Sequence, residues 1–272
     1  MKTVMFPQNT WPSEAGSGGQ SVYDVVIAAD GSGQYTGIAA AFTAEGSGKS
    51  YLIKKGSYTE AADVGVPGGG TYVHSNGADV TLADGKKWYA AASGSTMTGS
   101  LTIHGGSGAS AVCRFFEALK DNLDWGGCTI ELQLIPDVSP ATSSLIPTQM
   151  GGKHCRLTVR FVGKALNANG KGVIPLYVNA ASQAANTGSR YDLSVRGFAV
   201  SNGAGSLIAI LSEASLGNHY TVEITENTGF SSGLALGADT DYCAVAGAVY
   251  ACGTELVNSG QGNTVTGLAT GG

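Results

Sequence analysis

Four short patterns in this chain carry residues that could do chemistry. The first is Gly48-Lys49-Ser50 in "FTAEGSGKSYLI", the ending of a phosphate-binding loop. The full G-x-x-x-x-G-K-[ST] pattern needs a glycine at Thr43, and the loop must follow a strand and open a helix. Here Thr36 to Glu45 reads as helix and Tyr51 to Lys54 as strand. Lys49 then lies past a helix C-terminus, where the dipole repels anions. The stretch predicts a glycine helix stop, with no phosphate site.

The second pattern is Asp239 and Asp241 in "GADTDY", and the third is Glu223 and Glu226 in "VEITEN". Paired carboxylates serve as calcium ligands or as the acid and base of a glycosidase. Carboxylates two apart beside Gly237 also suit a polar turn, and glutamates on a strand suit its solvated side. The fourth is His154-Cys155. Neighbours on a strand point to opposite faces, so the two do not form a nucleophile–base pair. His74, His104, His154 and His219 lack the i,i+4 spacing of a metal helix, and no H-E-x-x-H or G-x-S-x-G occurs. Cys113, Cys128, Cys155, Cys243 and Cys252 include no C-x-x-C pair, so buried free thiols are expected. A Cys243–Cys252 bridge requires their strands to meet. Neither a metal nor a cofactor is expected.

The elements that would position these groups are short strands and glycine turns. Glycine supplies 42 of 272 residues, about twice its usual share, without collagen periodicity. Charged residues make up 13% and the net charge is −5, which leaves no basic footprint for nucleic acid. The N-terminal apolar run is too short for a signal peptide and is broken by Pro7, and no segment has the length of a membrane-spanning helix.

Residues 1–20 are polar and read as an extended N-terminal arm. Residues 21–90 form a β-rich segment with one short helix, which Thr36 can cap and which carries Ile38, Ala39 and Phe42 on one face. Residues 91–99 read as a linker, and 100–272 as the main domain. A second helix is expected from Ala111 to Leu123, capped by Ser110, with Phe115, Phe116, Leu119 and Leu123 on one face. Trp125 would end it as a lid over the stack, although Trp11, Trp88 and Trp125 could also stack on sugars.

Downstream, two series interleave. Tyr191, Tyr220, Tyr242 and Asn263 open similar phrases, and second apolar strands start at Ser206, Ser232 and Gly253. Both intervals shorten together, which fits coils of a parallel β-solenoid better than a meander of hairpins. Alternation in "YDLSV" and "TVEIT" puts one side of each strand in the coil interior.

At this point the residues resemble a family. "VVIAADGSGQYTGIAAAF…YLIKKGSYTEA" is similar to the entry of the pectin-lyase-like right-handed β-helix superfamily, especially its pectinesterases. "LGADTDYCAV" and "NSGQGNTVTG" resemble coils of bacteriophage virion members. The resemblance covers roughly residues 22–60 and 100–267. It implies an all-β, right-handed parallel β-helix with short capping helices. The superfamily's catalytic motifs (QTL, DFIFG and GRPW of pectinesterases; NTD, GHG and RIK of polygalacturonases; the pectate-lyase signatures) do not occur, so no enzyme is expected.

The expected function is that of a structural virion protein of a tailed bacteriophage, a capsid decoration or head appendage assembled in the host cytoplasm. The resemblance implies a homotrimer whose other partners are capsid or further virion proteins. The arm, with Phe6, Trp11 and Pro12, is the expected attachment. The alternative is a tailspike-like receptor-binding or polysaccharide-degrading protein. It would draw on Glu223, Glu226, Asp239 and Asp241, with host surface glycan as ligand.

Overall fold

The computed structural model describes residues 22–106, 114–135, 144–250 and 252–271. The arm with Phe6, Trp11 and Pro12, the Ser110 cap and Cys113 lie outside the described residues. The chain coils into a parallel β-solenoid of about 8 turns. Among the described residues its long sheet has 11 strands. Ten stack in chain order: Val25–Ile27, Ser50–Ile53, Tyr72–Leu82, Thr96–Gly105, Asp124–Leu134, Arg156–Val162, Arg190–Arg196, His219–Thr225, Ala244–Tyr250 and Thr264–Gly271. Gly56–Glu60 adds to the second half of Tyr72–Leu82. A second sheet of 8 strands stacks Val64–Val66, Trp88–Ala90, Phe116–Ala118, Thr148–Met150, Leu176–Val178, Ile208–Ser212, Ser232–Leu236 and Thr254–Asn258.

The interval between stacked residues gives the size of each coil. It is 22 residues from Tyr51 to Val73, 34 from Arg156 to Arg190, and 20 from Ala244 to Thr264. Alternation decides which side faces in. In Arg190–Arg196, Tyr191, Leu193 and Val195 are buried; in His219–Thr225, Tyr220, Val222 and Ile224 are. Like side chains then meet from coil to coil at the strand spacing, about 4.8 Å. Phe115, Phe161, Phe198 and Phe230 form one interior ladder, with successive ring centres 6.1, 5.4 and 5.8 Å apart. Tyr191 stacks on Tyr220 at 5.3 Å.

The register corrects the expected series in detail. Tyr191 does lie against Tyr220, but Tyr220 lies against Val245, and Val245 against Val265. Tyr242 falls three residues before that place, with φ of 54° and its side chain 66% exposed. In the second sheet Ser232 pairs with Ile208 and Thr254, whereas Ser206 and Gly253 were expected.

The expected Ala111–Leu123 helix is not formed over its described part. Phe116–Ala118 is a strand between Trp88–Ala90 and Thr148–Met150. Phe115 joins the phenylalanine ladder, while Phe116 packs edge-on against Trp125 at 6.2 Å. Pairing on both sides outweighs a local pattern that also suits a helix. Trp125 is accordingly no lid: it is a fully buried residue of Asp124–Leu134, and its Nε1 donates to Ser95 Oγ at 3.0 Å. Thr96–Gly99, within the stretch read as linker, pair with strands on both sides.

The first coils are covered by the helix Ile38–Glu45, which buries Ile38, Ala39, Ala41 and Phe42. Phe42 meets Tyr51 edge-on at 5.0 Å and Trp88 at 6.3 Å. Thr36 does not cap it. The N-cap position is Gly37, and the buried carboxylate of Glu60 accepts the Ile38 and Ala39 N–H groups at 2.5 and 3.3 Å. A carboxylate on the first free N–H groups also meets the positive end of the helix dipole. Glu60→Ala is therefore expected to cost about 1–3 kcal/mol, since it strands two buried donors. Urea unfolding measures this; a change under ~0.5 kcal/mol would mean that the contact contributes nothing.

Candidate functional site

The Gly48-Lys49-Ser50 stretch is a helix stop, as its order predicts. Gly46 turns at φ 72° and returns its N–H to Phe42 O at 3.1 Å. Lys49 pairs back with Glu45. Ser50 starts the next strand, and its N–H and hydroxyl both donate to Asp24 Oδ2 at 2.7 Å. Those two donors hold the Asp24 carboxyl below the usual carboxylate range.

Asp239 and Asp241 sit in a turn between coils. Asp241 accepts the Gln261 N–H at 2.6 Å on one oxygen and the Gln183 amide at 2.8 Å on the other, which together lower its pKa. It thus ties its own coil to the next one and to the coil two before it. Thr240 is buried between the two acids and donates to Ser212 O at 2.8 Å. Asp239 is exposed, and its main-chain carbonyl accepts the Ser215 N–H at 2.9 Å. Glu223 stands on the outer face of the long sheet between Ser194 and Ala248, and Glu226 turns out at φ 56° beyond that strand's end. Asp241 lies before the corner that opens the strands on which Glu223 stands, and the four residues of strand from His219 to Glu223 alone put about 13 Å between them. A glycosidase pair needs about 5–9.5 Å. The four acids are not brought together.

The histidines are separate. His104 Nε2 meets Asp79 Oδ1 at 2.8 Å, and His74 Nδ1 meets Thr98 Oγ1 at 3.0 Å. His154 occupies a left-handed turn at φ 55°. Its neighbour Cys155 is buried with Sγ directed at Lys120 O, 3.1 Å away. Burial raises that thiol's pKa, which opposes the thiolate a nucleophile needs. Cys128, Cys155, Cys243 and Cys252 are free, and burial pushes Cys128 up to about 12. Among the described residues, no three His, Cys, Asp or Glu side chains are grouped to hold a metal ion.

Sequence reasoning missed one linked set of polar side chains on the surface. Tyr89, Glu117, Gln149 and Tyr177 follow one another on the outer side of the second sheet. Lys87 Nζ donates to Glu117 at 2.7 Å and lies 5.1 Å from the Tyr89 ring centre. Arg114 reaches Gln149 through one nitrogen and Glu117 at 3.8 Å. Asn179 donates to the Tyr177 hydroxyl, which donates to Glu213. Burial and this bond to Glu213 push the Tyr177 hydroxyl up to about 12.

The row holds two cations against two carboxylates. Glu213 lies three strands on from Glu117 and reaches back to Tyr177, which leaves about 10–14 Å between the carboxyls. That is too far for both to act across one glycosidic bond. The row closes one coil on the next. The bonds that cross from coil to coil join residues 30–36 apart in sequence, so no local motif reveals it.

Fold and surface together define a β-solenoid in which several ionisable groups fasten coil to coil. No protein-family model, curated protein or solved structure matches the chain. Among the described residues no helix is long and apolar enough to cross a membrane.

Proposed function

We propose that this chain is a structural virion protein of a tailed bacteriophage, a capsid decoration or head appendage. In this reading the right-handed solenoid is a rigid body held to the particle by residues 1–20, with Phe6, Trp11 and Pro12 in the contact. Three copies associate, and the chain acts without catalysis or cofactor. The supporting observation is where the reactive-looking side chains go. Asp241 ties three coils, Glu60 caps the covering helix, and the row from Lys87 to Glu213 bonds to itself. Such groups stiffen a scaffold. The likeness of the later coils to phage coils supplies the particle.

The reading is tested by adding purified chain to particles lacking it and sedimenting them. The full chain is expected to co-sediment, and a chain without residues 1–20 to remain in the supernatant with an unchanged circular dichroism spectrum. Equal binding by both would overturn the role of the arm. Binding by neither would overturn the decoration reading.

A second reading, a tailspike-like receptor-binding protein, is favoured by the row itself. Tyr89 and Tyr177 beside Arg114 and Lys87 offer rings and donors of the kind that bind a sugar chain. Retention of the chain on host surface polysaccharide, lost in Tyr177→Ala, would support it.

A further inference from the structure

Four of the five arginines (Arg156, Arg160, Arg190 and Arg196) stand on two adjacent strands, all exposed on the outer face of the long sheet. The preceding strand, Asp124–Leu134, carries acids at the matching places. Asp124 is in register with Arg156, and Glu131 with Arg160. One strand thus reads acid, acid where its neighbour reads arginine, arginine.

Ion pairs within one sheet would use the same residues, but here they are hardly made. Arg156 Nη1 is 3.6 Å from Asp124, with the two side chains 61% and 50% exposed. Glu131 instead accepts the Gln133 amide at 2.6 Å. Among the described residues Arg160 has no ion-pair partner within 4.0 Å. Between the charged positions Gly126 has no side chain, and the Arg156 side chain lies over it. The face is flat there.

We propose that this face binds a second copy of the chain about a twofold axis that runs along the strands, midway between Asp124–Leu134 and Arg156–Val162. Such an axis exchanges the two strands. Each Asp124 then faces the other copy's Arg156, and each Glu131 the other copy's Arg160, giving four intermolecular pairs. One strand further out, Arg190 and Asp192 meet Thr96 and Thr98, and Arg196 meets His104, which Asp79 already engages. No two charges of like sign are apposed over these four strands. A twofold contact is isologous, so it closes on itself. It is separate from the threefold association proposed above and does not depend on it.

Four strands of about seven residues cover roughly 450 Å² per copy. A standard interface buries about 800 Å² per partner, so this contact is weak and depends on salt.

The test is a sedimentation experiment on the full chain at about 50 mM and about 500 mM salt. It compares wild type, R156E/R160E, D124R/E131R and an equimolar mixture of the two variants. Wild type is expected to gain a pairwise association at low salt, beyond any assembly it keeps at high salt, and this pairing should be at least about tenfold weaker at high salt. Each variant alone faces like charge with like and should lose this association. In the mixture an all-acid face meets an all-basic one, and a one-to-one complex should return. Salt-sensitive pairing kept by both variants, or a mixture of folded variants that shows none, would overturn the proposal. Should either charge reversal unfold the chain, R156Q/R160Q replaces it: at least about tenfold weaker pairing is expected, and unchanged pairing overturns the contact.

Discussion

Phe161→Ala is expected to remove about 3–5 kcal/mol of stability. Phe161 is fully buried in the middle of the ladder, 6.1 Å from Phe115 and 5.4 Å from Phe198. Truncation loses the transfer energy of the ring and leaves a cavity that neighbours tied into strands on both sides cannot fill. In a solenoid each coil touches only its neighbours, so the damage should be local. Hydrogen exchange should quicken in Asp124–Leu134, Arg156–Val162 and Arg190–Arg196, while Val25–Ile27 keeps its protection. Loss of less than ~1 kcal/mol, or uniform exchange along the chain, would contradict this account of the interior.

Asn218→Leu is expected to cost nearly as much, although it adds apolar volume. Asn218 is fully buried, and its Oδ1 accepts the Ser189 N–H at 2.8 Å. Its amide donates to Asn186 O at 3.1 Å and to Asn186 Oδ1 at 3.0 Å. Asn186 in turn accepts the Tyr191 hydroxyl at 2.7 Å and donates to Ser215 at 2.8 Å. Leucine strands the Ser189 N–H and removes two further bonds, although Asn186 O keeps the Leu216 N–H and Asn186 Oδ1 keeps the Tyr191 hydroxyl. At about 1–3 kcal/mol for the stranded donor and about 0.5–1.5 kcal/mol for each of the two other lost bonds, the total is roughly 2–5 kcal/mol. A neutral Asn218→Leu would mean that the network makes no net contribution.

What could be read from the sequence followed from period-two alternation and from glycine. "YDLSV" and "TVEIT" place Tyr191 and Tyr220 inside because the strand geometry leaves no other choice. The helix before Gly46 was legible for the same local reason. Its cap was not, because Glu60 comes from a strand fifteen residues beyond the helix end. Tyr242 misled because it stands in the left-handed turn before the strand, at the place Gly217 holds one coil earlier, and Val245 takes the interior place. Phe115 and Phe116 misled because two adjacent aromatics suit a helix face as well as two corners of a coil. The row from Lys87 to Glu213 was invisible, since its bonds cross from one coil to another.

The most direct test of the particle reading is a cryo-EM map of the native virion of the phage that carries this chain. The account predicts three copies of the solenoid seated about threefold positions on the shell, with density for residues 1–20 running into the capsid lattice. Solenoid density at the tail tip alone, with the face from Tyr89 to Tyr177 turned outward, would contradict it and make the receptor-binding role the one to pursue.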